Sequence, residues 1–293
     1  MPTKFNKKDH LEQNRKKIAG GLYIVSTPIG NLGDMTIRGR EILEQADIIA
    51  CEDTRVTGKL LARFQIKSPT ISYHDHNEQK VLPQLLDRLA EGQIVALVSD
   101  AGTPLISDPG YRLVKEAADA GHMVCPIPGA SAILAALATA GLPTDRFMFA
   151  GFLPGKTQAR QKILKELSGV KTTLVFYESA KRLKDSLRDI LDILGDRQAA
   201  VCRELTKLFE EIRRGSLAGL VAHYDQADRP KGEIVVVIGP PEEVEVTADQ
   251  LDEALSHALA HLSVKEAVAS VTYTLGLKRK QVYARALNIS GKG

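Results

Sequence analysis

From Gly21 onward the chain alternates short apolar runs with longer segments whose apolar residues recur at helical spacing. "LYIVST" predicts a first strand, and "TIRGREILEQA" a helix with its apolar positions on one face. "DIIACE" predicts a second strand, followed by the helix "TRVTGKLLARF". "SPTISYHDH" enters a third strand, and "NEQKVLPQLLDRLAEG" is a helix stopped by Gly92. "IVALVSD" is the next strand and "GYRLVKEAADAG" the next helix, before the short strand "MVCPIP". "GASAILAALATAG" closes the series as an almost wholly apolar helix, which predicts burial. Strands joined by helices in this order imply a parallel sheet covered on both faces.

Near "GLPTDRF" the pattern changes. "RFMFAGF", "TTLVFYE", "AAVCRE", "LFEEIRRG" and "GEIVVVIG" are strand candidates, two of them adjoining without a helix between, which predicts a second, mixed sheet. "GPPEEVEVT" reads as an acidic linker, and "SVKEAVASVTYTLGLKRKQVYARAL" as a helix-turn-helix pattern. The expected organisation is α/β: a basic arm over residues 1–20, α/β domains over 21–144 and 145–240, and a helical unit over 247–290.

Composition adds three constraints. The 293 residues are 44% hydrophobic and 26% charged, ordinary for two globular domains with real cores. No apolar run reaches the roughly 18 residues of a membrane span, and the N-terminus lacks the apolar stretch of a secretory signal, so a cytoplasmic protein is expected. Cys51, Cys125 and Cys202 lie far apart without metal-ligand spacing, as befits free thiols in a reducing compartment. Net charge is only +3, but basic residues crowd both ends: Lys4, Lys7, Lys8, Arg15, Lys16 and Lys17, then Lys278, Arg279, Lys280 and Arg285. Basic ends can hold phosphate backbones or simply be solvated tails.

The candidate chemistry sits at strand ends. Four turns cluster there: Ser26-Thr27-Pro28, Ser99 to Pro104, Pro126 to Ser131, and Lys231-Gly232-Glu233. In a parallel sheet the first three share one edge, where nucleotide-like ligands are usually held. Yet the chain has neither G-x-G-x-x-G nor G-x-x-x-x-G-K-[ST], so no polyphosphate cradle is present. S-adenosylmethionine, an adenosine carrying a sulfonium and no phosphate, fits that gap. Asp100 can accept from a ribose hydroxyl or face a positive charge; the plainer reading is an Asx turn. "CEDTR" places Glu52, Asp53 and Arg55 where a strand becomes a helix, with Asp53 or Thr54 also explicable as an N-cap. "YHDHNE" groups His74, Asp75, His76, Asn77 and Glu78, with His74 and His76 expected on one face of a strand. Lacking a third convergent ligand, they favour substrate binding or base catalysis over a metal.

The segments "LYIVSTPIGNLGDMTIRGREIL", "ACEDTR", "HDHNE", "LVSDAGTPLISDPG", "PIPGASA", "GFLP", "FYES", "RELTK" and "KGEIVVVI" together resemble a family of tetrapyrrole-methylase-fold methyltransferases, the ribosomal RNA small subunit methyltransferases I. The resemblance runs in order from about Gly21 to Gly239. It implies 2′-O-methylation of a cytidine ribose in 16S rRNA at the decoding centre, with S-adenosylmethionine in a cleft between two α/β domains, usually within a homodimer. Carried over by motif, Pro28, Asp100, Gly102, Thr103 and Ser107 line the cofactor site, with Gly129, Ala130 and Ser131 nearby. Tyr177, Cys202, Gly232 and Glu233 close its adenine side. Candidates for the base are Asp100, Glu52 and Asp53, then His74 or His76; Arg55 and Lys59 are expected to hold rRNA phosphates, with His74, His76 and Asn77 on the substrate side. Two other readings stay open: a small-molecule methylase acting on a tetrapyrrole, and a non-catalytic nucleic-acid-binding protein using the C-terminal helices.

Overall fold

The structure is a computed structural model that describes residues 18–241, 247–275, 277 and 279–290. The basic arm expected over residues 1–20, all but its last three residues, lies outside the described residues, as do most of the acidic linker and Lys278. The chain forms two compact units, one reaching Pro241 and one beyond it.

In the first unit, β1 (Gly21–Val25), β2 (Ile48–Cys51), β3 (Thr70–Ser72), β4 (Ile94–Val98) and β5 (Val124–Ile127) form a sheet in the order β3-β2-β4-β1-β5. Every pairing in it is parallel. Alternate side chains feed two cores, as a sheet buried on both faces requires. Leu22, Val95 and Leu97 pack with α3 (Glu78–Ala90) and α4 (Tyr111–Asp119); Tyr23, Val25, Ala96 and Val98 pack with α1 (Ile37–Gln45) and α2 (Thr54–Arg63).

α5 (Ala132–Ala140) then leaves the parallel sheet and packs on a second one. That sheet has the order β6-β7-β10-β8-β9, from β6 (Phe147–Phe152), β7 (Thr173–Ser179), β8 (Gln198–Arg203), β9 (Glu211–Ser216) and β10 (Glu233–Ile238). It is mixed: β6 and β7 run parallel, and the other pairings are antiparallel. Ile133, Ala136, Leu137 and Ala140 of α5 bury against Val175, Ala200, Val235 and Val237, which ties the two sheets into one unit. The helix is not wholly buried as its composition predicts, because Leu134 turns outward and is 58% exposed. α6 (Thr157–Leu167), α7 (Leu183–Leu194) and α8 (Leu217–Gln226) cover the other face of the mixed sheet. There Arg160 donates to Asp189 at 2.6 Å, both side chains being buried.

The second unit holds α9 (Ala248–Leu259), α10 (Val264–Leu275) and α11 (Arg279–Ile289) around Leu251, Leu255, Val268, Val271, Val282 and Ala286. Thr247 opens α9 with a reciprocal capping box to Gln250. The predicted helix-turn-helix segment corresponds to α10 and α11. Among the described residues no helix is long and apolar enough to cross a membrane.

Candidate active site

The carboxyl ends of β1, β4 and β5 meet where the first three predicted turns lie. Thr27 and Gly102 form an isolated two-way backbone bridge. The hydroxyls of Ser26 and Thr103 lie 3.0 Å apart, and Thr103 Oγ1 donates to the Ala130 carbonyl at 3.3 Å. These bonds fix three loops against one another. Leu105 (φ 74°) and Ser107 (φ 67°) adopt the left-handed region, which costs roughly 1–2 kcal/mol per residue. Two such residues in one short loop mark it as held in shape by its surroundings.

Below this loop, between the two sheets, lies a cavity of about 350 Å³. Gly102, Thr103, Ser107 and Ser131 line it from the parallel-sheet side, and Tyr177, Cys202, Gly232 and Glu233 from the mixed-sheet side. Of the other residues expected at a cofactor, Pro28, Asp100, Gly129 and Ala130 do not line it. Ala130 offers its carbonyl to Thr103, and Gly129 packs against Ser26, so both support the wall from behind. Gly232 has φ +93°, and a Cβ there would lie 2.3 Å from Glu204 Oε1. Glu204 cannot easily yield, since it accepts from Lys207 Nζ at 2.7 Å and from the Glu233 amide at 3.1 Å.

Among the described residues, the charged ones lining the cavity are Asp108, Glu178 and Glu233, with no lysine or arginine. Glu178 is buried and fully engaged, accepting from Ser186 at 2.5 Å, from the Ser179 amide at 2.7 Å and from Arg182 at 2.9 Å. Glu233 pairs with Lys207 at 2.8 Å. Asp108 is therefore the lining carboxylate left to act on a ligand. Burial, with the nearby Asp100 charge, raises its pKa above the ordinary value, against a hydrogen bond from Ser99. Tyr177 is pushed up to about 12 by burial and by the fields of Asp108 and Glu233. Its ring packs against Phe149 and Phe152, at centroid distances of 4.9 and 5.3 Å.

Beside the cavity, the ends of β2, β3 and β4 bring together the other predicted residues, because these strands are neighbours in the sheet. Burial raises the pKa of Glu52, reinforced by Asp100, Asp108 and Asp75 and opposed by His74. Burial likewise raises that of Asp100, whose carboxylate accepts from the Asp53 amide at 3.2 Å. Asp53 itself is a poor base candidate. It caps α2 through the Arg55 amide at 2.8 Å and pairs with the Arg55 guanidinium at 2.6 Å, which together hold its carboxyl down at about 2. Arg55 is committed to this pair while remaining exposed, and Lys59, one turn further along α2, is exposed.

The expected strand placement of His74 and His76 does not hold: β3 ends at Ser72. Asn77 takes the chain out of the sheet, its Oδ1 accepting from the His74 amide and its Nδ2 donating to the Ser72 carbonyl, each at 2.9 Å. The two rings still lie 5.9 Å apart, with His74 Nδ1 buried and unpartnered. Among the described residues no three His, Cys, Asp or Glu side chains are arranged to hold a metal.

Sequence reasoning missed Asp108, Ile106 and Phe152 on the cavity wall. A signal for Asp108 was available: Ser107-Asp108 repeats the Ser99-Asp100 pair one turn later.

The chain resembles known proteins over most of its length. The Tetrapyrrole (Corrin/Porphyrin) Methylases family matches residues 21–221, and the RsmI C-terminal HTH domain matches residues 245–290. The chain is 50% identical over 276 residues to the ribosomal RNA small subunit methyltransferase I of Mesorhizobium japonicum, covering 93% of this chain and 94% of that one. It belongs to the ribosomal RNA small subunit methyltransferase I family. Another member, from Escherichia coli O157:H7, is 46% identical over 283 residues, covering 95% of this chain and 99% of its own. Among solved structures, diphthine synthase aligns with a TM-score of 0.58 at 16% identity, over 74% of this chain and 89% of its own. A cobalt precorrin-4 methyltransferase aligns at 0.54 and 20% identity, over 74% and 94% respectively. At those identities the likeness concerns the fold, which is the tetrapyrrole methylase fold that this family shares.

Proposed function

We propose that the chain transfers a methyl group from S-adenosylmethionine to the 2′-hydroxyl of a cytidine ribose in 16S rRNA, at the decoding centre of the small ribosomal subunit. The observation that carries this reading is the sign of the cavity. Its walls are apolar and hydroxyl-bearing, and their formal charges are all negative. Such a site suits an adenosine with a cationic sulfonium and repels a polyphosphate. The names of the relatives, small-subunit rRNA methyltransferases, supply the acceptor class.

In this reading Gly102, Thr103, Ser107 and Ser131 hold the cofactor on one wall, and Tyr177, Cys202, Gly232 and Glu233 on the other; that all eight line the cavity supports it. The bound cofactor supplies a methyl already activated by positive sulfur. The protein aligns the acceptor hydroxyl and removes its proton, and the sheltered walls exclude competing water. Alignment contributes several kcal/mol, and a positioned base a further factor of about 10²–10⁴. Asp108 is that base in this proposal, its basicity maintained by burial and by Asp100. We place the reaction in the cytoplasm and the chain in a homodimer, for which Phe147 (44% exposed) and Met148 (41% exposed) on the edge strand β6 offer apolar surface.

The test is incubation with labelled S-adenosylmethionine and small subunits from a strain lacking the modification. Mass spectrometry of nuclease fragments should find one added ribose methyl on a cytidine. Label on a porphyrinoid with none on rRNA would refute the acceptor in favour of a small-molecule methylase. Absence of saturable S-adenosylmethionine binding in calorimetry would defeat both enzyme readings.

A further inference from the structure

The cavity has room for one ligand of cofactor size, so the acceptor strand must be met at its mouth. β6 carries a bulge there: Phe149 pairs with Val175 and Phe152 with Tyr177, three steps on one strand against two on the other. In an unbroken ladder Phe152 would face the opposite side of the sheet from Phe149. The extra residue, accommodated by Gly151 at φ +66°, turns Phe152 onto the cavity side instead, against Tyr177. Phe152 lines the cavity and packs on Tyr177, yet the residue is 57% exposed.

The next three residues are clamped. Arg182 donates to the Leu153 carbonyl at 3.0 Å, and Arg160 donates to the Pro154 and Gly155 carbonyls, both at 3.3 Å. Both guanidiniums are spent inward, on this loop and on Glu178 and Asp189. Lys156 ends the clamped loop and Lys181 adjoins Arg182; both are exposed, and neither side-chain ammonium has a hydrogen-bond or ion-pair partner among the described residues. A rigid rim thus presents one aromatic face and two free cations beside a negatively charged cavity.

We infer that Phe152, Lys156 and Lys181 form the platform for a single-stranded RNA segment flanking the acceptor nucleotide, Phe152 stacking on a base and the lysines holding backbone phosphates. Aromatic stacking beside a basic track is how single strands are bound. The reversal of charge between rim and cavity sorts the substrate: phosphates are held outside while the sugar is offered inward. This inference rests on the rRNA reading above.

The test measures binding and methylation of unmodified small subunits by the full-length chain. Lys156→Gln with Lys181→Gln should lower the slope of log affinity against log salt by about 1.4, the release expected from two single-strand phosphate contacts, with S-adenosylmethionine affinity unchanged. Phe152→Ala should weaken subunit binding about 5- to 150-fold, the worth of one stacked base, and Phe152→Tyr should restore it. An unchanged salt slope in the lysine pair, or loss of S-adenosylmethionine affinity without loss of subunit affinity in Phe152→Ala, overturns the platform while leaving the activity intact. Subunits left unmethylated by the wild-type chain overturn the rRNA reading itself, and the platform with it.

Discussion

Asp108→Asn isolates the proposed proton acceptor with the least disturbance of shape. Asparagine keeps an acceptor oxygen for Ser99 and occupies the same volume, so the left-handed turn at Ser107 is retained. What disappears is basicity. Loss of a positioned base costs about 10²–10⁴ in rate, or about 3–5 kcal/mol at 1.36 kcal/mol per tenfold. Stability should move the other way. The folded pKa of Asp108 lies above its ordinary 3.8, burial being the main cause. The folded state therefore keeps its proton to higher pH than the unfolded state does, and stability falls as pH rises through that window. At neutral pH the ionised group is a standing cost that asparagine lacks, so Tm should be equal or higher. The assay is single-turnover methylation of unmodified subunits across pH, with Tm and S-adenosylmethionine affinity measured alongside. The wild-type rate should climb with pH through the Asp108 titration and then level off. Asp100→Asn should shift that limb to lower pH, because the Asp100 charge is one cause of the elevation. An Asp108→Asn enzyme retaining more than about a tenth of the wild-type rate would refute the assignment. So would a limb that survives in Asp108→Asn and vanishes in Asp100→Asn, which would identify Asp100 as the base.

Other expectations follow from single contacts. Gly232→Ala drives a methyl into the Glu204 carboxylate, which is anchored by Lys207 and the Glu233 amide. Disrupting those charge-assisted bonds costs about 2–4 kcal/mol, read as a Tm fall of about 5–15 °C with weaker S-adenosylmethionine binding in a thermal-shift titration. Arg160→Met and Asp189→Leu should each destabilise by about 3–5 kcal/mol in urea, while the double variant recovers most of the loss, because each single change strands a buried charge. Removing residues 247–293 should leave S-adenosylmethionine affinity unchanged and lower subunit affinity; equal loss of both, measured by calorimetry and filter binding, would show the helical unit to be part of the cofactor-binding fold.

The architecture was legible because period-2 and period-3.6 patterns alternate cleanly, and because β8 and β9 follow one another without a helix, which required a mixed sheet. The cavity was legible at its turns. Gly102, Gly232 and the serine and threonine hydroxyls sit where strand ends meet, and topology alone brings such ends together. Three features escaped for physical reasons. The His74–Asn77 segment looks like strand because it alternates, but one asparagine side chain satisfies two backbone groups and releases the chain from the ladder. Phe152 is on the cavity only because a bulge adds one residue to β6, and a bulge reverses faces without altering the composition of the strand. Asp53 and Asp100 look equivalent as acids at strand ends. Only the positions of their donors separate a carboxylate fixed by Arg55 from one raised by burial.

That last distinction also explains why the acid on the cavity wall is Asp108 and not Asp100. Asp100 lies two residues beyond β4, and its carboxylate accepts from the Asp53 amide at the N-cap of α2. The loop beyond it passes through strained turns at Leu105 and Ser107 and brings a second acid, Asp108, within the field of the first. The arrangement costs backbone strain, and it places mutually repelling carboxylates at neighbouring strand ends. Neither expense assists folding. Both become useful where a sulfonium must be held and a weakly acidic hydroxyl deprotonated, since a negative field attracts the first, and an elevated carboxylate pKa makes the acid a stronger base for the second. A chain relieved of the repulsion, by Asp108→Asn with Asp100→Asn, keeps the strained turns but should fold more stably and methylate least. A double variant that is no more stable than the wild type would show that the acidic cluster is compensated within the fold and carries no stored cost.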